Sequence, residues 1–97
     1  MPAYITLMRY TREGVMKIKE GPARLEKGKE AIKAAGGELK AFYLTFGRYD
    51  AVALAEYPND EAAAKAVLTV ASAGNVTGET LRAFTEEEYR KIIAGLP

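Results

Sequence analysis

The sequence predicts a single α+β domain: one antiparallel four-stranded sheet and two helices in β-α-β-β-α-β order, followed by a short C-terminal helix. Three observations carry this. Aromatic and β-branched runs occur four times, helical stripes separate the first from the second and the third from the fourth, and turn chemistry lies between. A chain of 97 residues holds one modest core and is too short for two, so the domain is expected to span residues 1–97.

Tyr4-Ile5-Thr6-Leu7-Met8-Arg9-Tyr10 reads as the first strand, and Thr11-Arg12-Glu13-Gly14 as a turn out of it. From Val15 to Ala35 the apolar positions Val15, Ile18, Pro22, Leu25, Ile32 and Ala35 keep helical spacing. Gly21-Pro22 interrupts them. Because proline suits the first turn of a helix, a short helical piece is expected before Gly21 and the main helix from Pro22 onward. Gly36-Gly37 supplies the stop, with one glycine in the left-handed cap conformation.

Leu39 to Phe46 is the second strand and Asp50 to Tyr57 the third. Gly47-Arg48 between them suits a two-residue hairpin turn with glycine at the first central position, which makes the strands antiparallel. Pro58-Asn59-Asp60-Glu61 starts a helix, with Asn59 or Asp60 as its cap. The helix is rich in alanine (Ala62, Ala63, Ala64, Ala66, Ala71), so it can sit close to a sheet, and it ends before Gly74-Asn75. Val76 to Phe84, loosened by Gly78, is the fourth strand. Thr85-Glu86-Glu87-Glu88 is a capping box opening a final helix with Tyr89, Ile92, Ile93 and Leu96 on its apolar face. Right-handed crossovers then place the first and third strands centrally and the fourth and second at the edges.

Both long helices of this topology cover one face of the sheet. A strand with one wet face should alternate between apolar and polar residues. Here Val52 and Leu54 oppose Ala51, Ala53, Ala55 and Tyr57, while Phe42, Leu44 and Phe46 oppose Ala41, Tyr43 and Thr45. Apolar groups on both faces predict that the open face is buried, most simply against a second copy.

Net charge is +1, which argues against nucleic-acid binding by bulk electrostatics. Basic residues gather on the first helix (Lys17, Lys19, Arg24, Lys27, Lys29, Lys33), and the second half of the chain is net acidic. Cysteine is absent, no apolar run approaches the roughly 20 residues that span a bilayer, and Met1-Pro2-Ala3 leads straight into a strand. The expectation is a cytoplasmic protein without a membrane partner. Asn75-Val76-Thr77 matches a glycosylation sequon, which has no meaning in that compartment.

Histidine is absent too, which removes imidazole base catalysis, His–carboxylate metal sites and an axial haem ligand. The single serine, Ser72, lies in the alanine-rich helix without a triad context, and no metal or other cofactor is expected. The stretch from Gly74 to Thr80 lacks the lysine of a phosphate loop, and Glu86, Glu87 and Glu88 are explained by the helix dipole. Tyr49-Asp50 is the sharper pair. A carboxylate beside a phenol at a hairpin mouth could exchange protons with a phenol or enol; equally, the aspartate could satisfy backbone N–H groups while the tyrosine packs. Arg9, Glu56 and Arg82 lie on three strands, where an ion-pair network is plausible, and Tyr4, Tyr10, Tyr43 and Tyr57 could line an amphipathic cavity.

The first strand with Thr11-x-x-Gly14, Pro22-x-Arg24, Gly36-Gly37, Gly47-x-Tyr49-Asp50, Pro58-x-Asp60 and Thr80-Leu81-Arg82-Ala83-Phe84 together resemble the GYD domain family over nearly the whole chain. The resemblance implies a ferredoxin-like α+β domain pairing into a dimeric α/β barrel, and it brings no particular chemistry. Tyr49 and Asp50 are the catalytic candidates, and Arg9, Arg24, Tyr43 and Arg82 the ligand-binding ones. Three readings follow: a homo-oligomeric module binding a small organic ligand between its sheets, a cofactor-free enzyme resembling the monooxygenases and isomerases of the barrel fold, or a structural assembly unit.

Overall fold

A computed structural model describes residues 1–97. The elements are β1 (Ala3–Tyr10), α1 (Arg12–Met16), a 3₁₀ turn (Ile18–Glu20), α2 (Gly21–Ala34), β2 (Glu38–Leu44), β3 (Ala51–Glu56), α3 (Asp60–Ser72), β4 (Val76–Ala83) and α4 (Glu86–Ala94). The four strands form one antiparallel sheet in the order β2-β3-β1-β4, the arrangement expected of a ferredoxin-like α+β fold.

Caps set most boundaries. Thr11 accepts a hydrogen bond from the Gly14 N–H at 3.1 Å, so the expected turn at residues 11–14 is instead the capped first turn of α1. Pro22 sits in the first turn of α2. At its other end, Gly36 takes φ +84, its N–H donates to Lys33 O and the Gly37 N–H to Ile32 O. That is a Schellman ending. Asn59 caps α3 by accepting from the Ala62 N–H at 2.9 Å. Thr85 and Glu88 form the capping box of α4, and the Thr85 backbone N–H holds the Glu88 carboxyl below its ordinary pKa.

Two features depart from expectation. The β2–β3 connection is not a two-residue turn: the Thr45 N–H donates to Asp50 O at 2.9 Å, enclosing the four residues Phe46–Tyr49. Gly47 still supplies the positive φ, at +102. β2 also carries a bulge at Lys40, because Leu39 pairs with Ala55 and Ala41 with Leu54.

The core lies on the helix side of the sheet. Tyr4, Ala55, Tyr57, Ala63 and Ala66 form its centre, with Ile32, Ala35, Leu39 and Ala62 packed around them. Alanines on both the sheet and α3 bring the layers close, as the composition implies, and Tyr4 meets Tyr57 edge to face at 5.5 Å. Only eight of the 97 residues are buried, so the interior is thin. The Cα radius of gyration is 14.5 Å, against about 12.5 Å for a compact chain of this length.

Gly14 marks a tight contact, since a Cβ there would lie 2.1 Å from Asn75 O. Gly28, inside α2, has open space. Gly14→Ala is therefore expected to lose about 1–3 kcal/mol, and Gly28→Ala to gain roughly 0.5–1 kcal/mol. Urea denaturation of the two variants checks both signs.

Candidate functional site

The register assigns every strand residue to a face. Tyr4, Thr6 and Met8 of β1 pair with Ala55, Ala53 and Ala51 of β3 and with Arg82, Thr80 and Gly78 of β4, all on the helix side. Ile5 and Leu7 pair with Leu54 and Val52, and then with Leu81 and Glu79, on the opposite side. Ala41 and Tyr43 of β2 extend that second set. The open face is thus an apolar field of Ile5, Leu7, Val52, Leu54 and Leu81 with Tyr43 at its edge. None of these residues is buried, and no helix covers them.

A polar cluster bounds one end of the field. Tyr49 reaches from the β2–β3 loop past β1, and its hydroxyl donates to Glu79 Oε1 of β4 at 2.5 Å. The Arg9 guanidinium lies 5.2 Å from the Tyr49 ring centroid and donates through Nε to Arg48 O at 2.8 Å. Arg9, Tyr49, Thr77, Gly78 and Glu79 line a shallow depression, open to solvent, of about 310 Å³. The bond to Glu79, helped by desolvation, raises the Tyr49 pKa above its ordinary 10.0, and Arg48 and Arg9 oppose the shift. The hydrogen bond holds the Tyr49 proton toward Glu79.

Asp50 has a backbone task. Its N–H donates to Met8 O at 2.8 Å, and its carboxylate accepts the Tyr10 N–H at 2.9 Å. The side chain therefore takes the β1 donor that lies beyond the last β1–β3 pair. These are the contacts of the structural reading of Tyr49-Asp50, in which the aspartate satisfies a backbone N–H. Thr45 Oγ1 adds a further brace by donating to Tyr49 O at 2.7 Å.

The remaining candidates are dispersed. Arg24 donates to Lys17 O at 2.9 Å and Gly14 O at 3.2 Å, tying α2 to the end of α1. Arg82 is on the helix side, over the rings of Tyr4 (5.7 Å) and Phe84 (4.5 Å). Glu56 lies at the far end of the open face from Arg9 and meets Lys40 at 3.8 Å. The expected Arg9–Glu56–Arg82 network therefore does not form, because β1 and β4 turn Arg9 and Arg82 to opposite faces. Nor do the tyrosines share a cavity: Tyr4 and Tyr57 are in the core, and Tyr43 is exposed on the open face.

Sequence reasoning missed one further pair. The Tyr4 hydroxyl donates to the Asp60 carboxylate, pinning the start of α3 to the central strand and raising the Tyr4 pKa. A depression of about 280 Å³ along α3, lined by Tyr4, Asp60, Ala63, Ala64, Val67, Thr80 and Arg82, is also open. Tyrosine and aspartate 56 positions apart leave no local signal.

With this geometry in view, comparison with known proteins is decisive for the family. The GYD domain model matches residues 4–93. This chain belongs to the GYD domain family. The glutamine synthetase and cystathionine beta-lyase binding protein of Thermus thermophilus is 33% identical over 84 residues, covering 86% of this chain and 88% of that protein. No solved structure matches this chain. In this GYD domain, the signature residues Gly47, Tyr49 and Asp50 hold the loop in one shape.

Asp50→Ala is expected to destabilise the fold by about 1–3 kcal/mol, since it strands a strand-end N–H, and Asp50→Asn by less; chemical denaturation separates the two. Tyr49 yields a pH signature. Its folded pKa is raised, so the Tyr49–Glu79 bond contributes fully below the unfolded value near 10 and is lost as pH rises through the folded value. The stability gap between wild type and Tyr49→Phe should be flat up to about pH 10 and close above it, while ultraviolet titration of the variant should lack one late tyrosine.

Proposed function

We propose that this protein is a cytoplasmic protein-interaction module that works as a homo-oligomer and binds metabolic enzymes. The uncovered apolar face of the sheet is the observation that carries this. A sheet about 19 Å wide and 26 Å long offers a footprint of roughly 500 Å², a large fraction of the approximately 800 Å² that each partner contributes to a stable interface. A second copy is its natural occupant, because a flat apolar face is complementary to itself about a two-fold axis. Face-to-face packing about 10 Å apart would give the dimeric α/β barrel arrangement implied by the family resemblance.

Pairing through this face turns the helix layer outward. There Lys27 and Lys33 of α2 are exposed, Lys29 pairs with the exposed Glu26 at 3.3 Å, and basic residues outnumber acidic ones along the helix, which suits an acidic patch on an enzyme. The name of the Thermus relative, a binding protein for glutamine synthetase and cystathionine beta-lyase, supports enzymes as the class of partner. A ligand site between paired sheets and a cofactor-free reaction draw no comparable support. Both depressions are open in the single chain, and Tyr49 and Asp50 are engaged within the fold.

Native mass spectrometry is expected to show a dimer or a multiple of it, with Leu54→Asp shifting the population to monomer, since a buried unpaired charge costs about 2 kcal/mol or more. A monomeric wild type overturns the pairing. Co-elution with glutamine synthetase or cystathionine beta-lyase from the same organism, weakening as salt rises, is the expected sign of enzyme binding; failure to bind either enzyme at low salt overturns that part.

A further inference from the structure

The two ends of this molecule carry features that complement each other. An eight-residue strand spans about 26 Å, whereas the longest dimension of the molecule is 52 Å. Two segments lie beyond opposite ends of the strands. At one, beside Tyr10, is the β2–β3 loop; at the other, where Ala83 pairs with Ala3, the chain leaves the sheet for α4.

The loop is heavily braced. Thr45, Tyr49, Asp50 and Arg9 fix it through hydrogen bonds to Asp50 O, Tyr49 O, Glu79, Tyr10 N–H and Arg48 O. It nonetheless leaves the Phe46 side chain 100% exposed at its tip, beside the exposed Arg48. A rigid loop displaying a bare aromatic and an arginine has the composition of an interface anchor.

α4 is built in the same way. Its nine residues would be marginal as an isolated helix. The capping box and the Glu86–Arg90 (2.7 Å) and Glu87–Lys91 (3.8 Å) pairs hold it on its polar side. On the other side Tyr89, Ile92, Ile93 and Leu96, at i, i+3, i+4 and i+7, are exposed, and α4 makes no substantial contact with the rest of the chain. Such spacing is that of a helix prepared to cover or be covered by an apolar partner. Glu86 flanks this stripe.

We propose that, in the pair formed through the open sheet faces, the Phe46–Arg48 loop of each copy docks on the α4 stripe of the other. This rests on the homo-oligomeric reading above and adds the orientation: the two-fold axis runs across the strands, so that the ends exchange. Both terms of the contact match. Phe46 is apolar against Tyr89, Ile92, Ile93 and Leu96, and the basic Arg48 faces the acidic first turn of α4. A two-fold axis makes the contact twice, which closes the assembly at two copies for this surface. It also extends the footprint of the sheet face by a helix about 14 Å long at each end.

The chain has no cysteine, so cross-linking is free of background. Phe46→Cys combined in turn with Tyr89→Cys, Ile92→Cys or Ile93→Cys, oxidised with copper phenanthroline, should give covalent dimers in at least one combination. Each single variant should give none, and no combination should cross-link within one chain. Self-cross-linking of Phe46→Cys alone would place like ends together, a ladder of multimers would mean head-to-tail assembly, and no cross-link in any combination would mean no contact. Each of these overturns the proposal. Native mass spectrometry of the unmodified protein keeps the failures apart: a wild-type dimer with no cross-link leaves the pairing standing and removes only this contact. Phe46→Ala should in addition weaken the dimer at least tenfold while leaving the circular dichroism spectrum unchanged.

Discussion

A sheet has two faces, and this chain supplies a helix layer for one. That imbalance governs the molecule. The covered face is built for close approach: alanines at 51, 55, 63 and 66 let α3 lie tight against the strands, and Tyr4 and Tyr57 supply most of the bulk. Leu39, Phe42 and Leu44 of β2 share that face, whereas Ile5, Leu7, Val52, Leu54 and Leu81 make the other face an almost wholly aliphatic field. A core made chiefly of alanine removes little apolar area from water per residue, so the hydrophobic stabilisation available to a single copy is small for its length. The unused driving force resides in the open face.

The signature motif of the family gains a physical meaning from this arrangement. Gly47 permits the positive φ, Asp50 takes the strand-end N–H of Tyr10, and Tyr49 spans to Glu79. Each fixes the loop where it leaves the sheet, at the rim of the apolar field. Preorganisation of this kind lowers the entropy lost on binding, which is where a small interface gains most. It also explains why a motif with tyrosine, aspartate and arginine close together need not be an active site. Each group already has a partner in the fold: Tyr49 has Glu79, Asp50 the Tyr10 N–H and Arg9 the Arg48 carbonyl.

Much of the architecture was legible because it rests on local chemistry or on period-two alternation. Gly36-Gly37, the Asn59-Asp60 pair and the Thr85–Glu88 box announced caps that the structure assigns to Gly36, Asn59 and Thr85, and the alternation in β3 assigned Val52 and Leu54 to the face opposite Ala51 and Ala55. What was illegible depends on partners far along the chain. Glycine-arginine between aromatics fits a two-residue turn, but Thr45 found a better acceptor in Asp50 once Asp50 was held by β1. The bulge at Lys40 reverses the alternation midway through β2, so that Leu39 and Phe42 face the same way. Thr11 looked like a turn residue because nothing local marks Arg12–Met16 as helix; Gly14 is required there because Asn75 O approaches too closely to admit a Cβ. For the candidate site, Tyr49 and Asp50 were visible as a pair, whereas Glu79 and Asp60, which decide the states of Tyr49 and Tyr4, were not.

The shape of the molecule then constrains how it can associate. A helix held by its own caps and ion pairs but packed on nothing, and an aromatic displayed at full exposure on a braced loop, are both unfavourable in isolation, and each is what the other lacks. They sit at opposite ends of a flat apolar face, so an arrangement that covers the face and exchanges the ends satisfies all three surfaces with one symmetry operation. An arrangement that keeps like ends together would cover the face but bring the loop arginines toward each other, and likewise the first turns of the two helices, whose Glu86 and Glu87 are partly neutralised by Arg90 and Lys91. Electrostatics therefore selects between two pairings that hydrophobic burial alone does not distinguish.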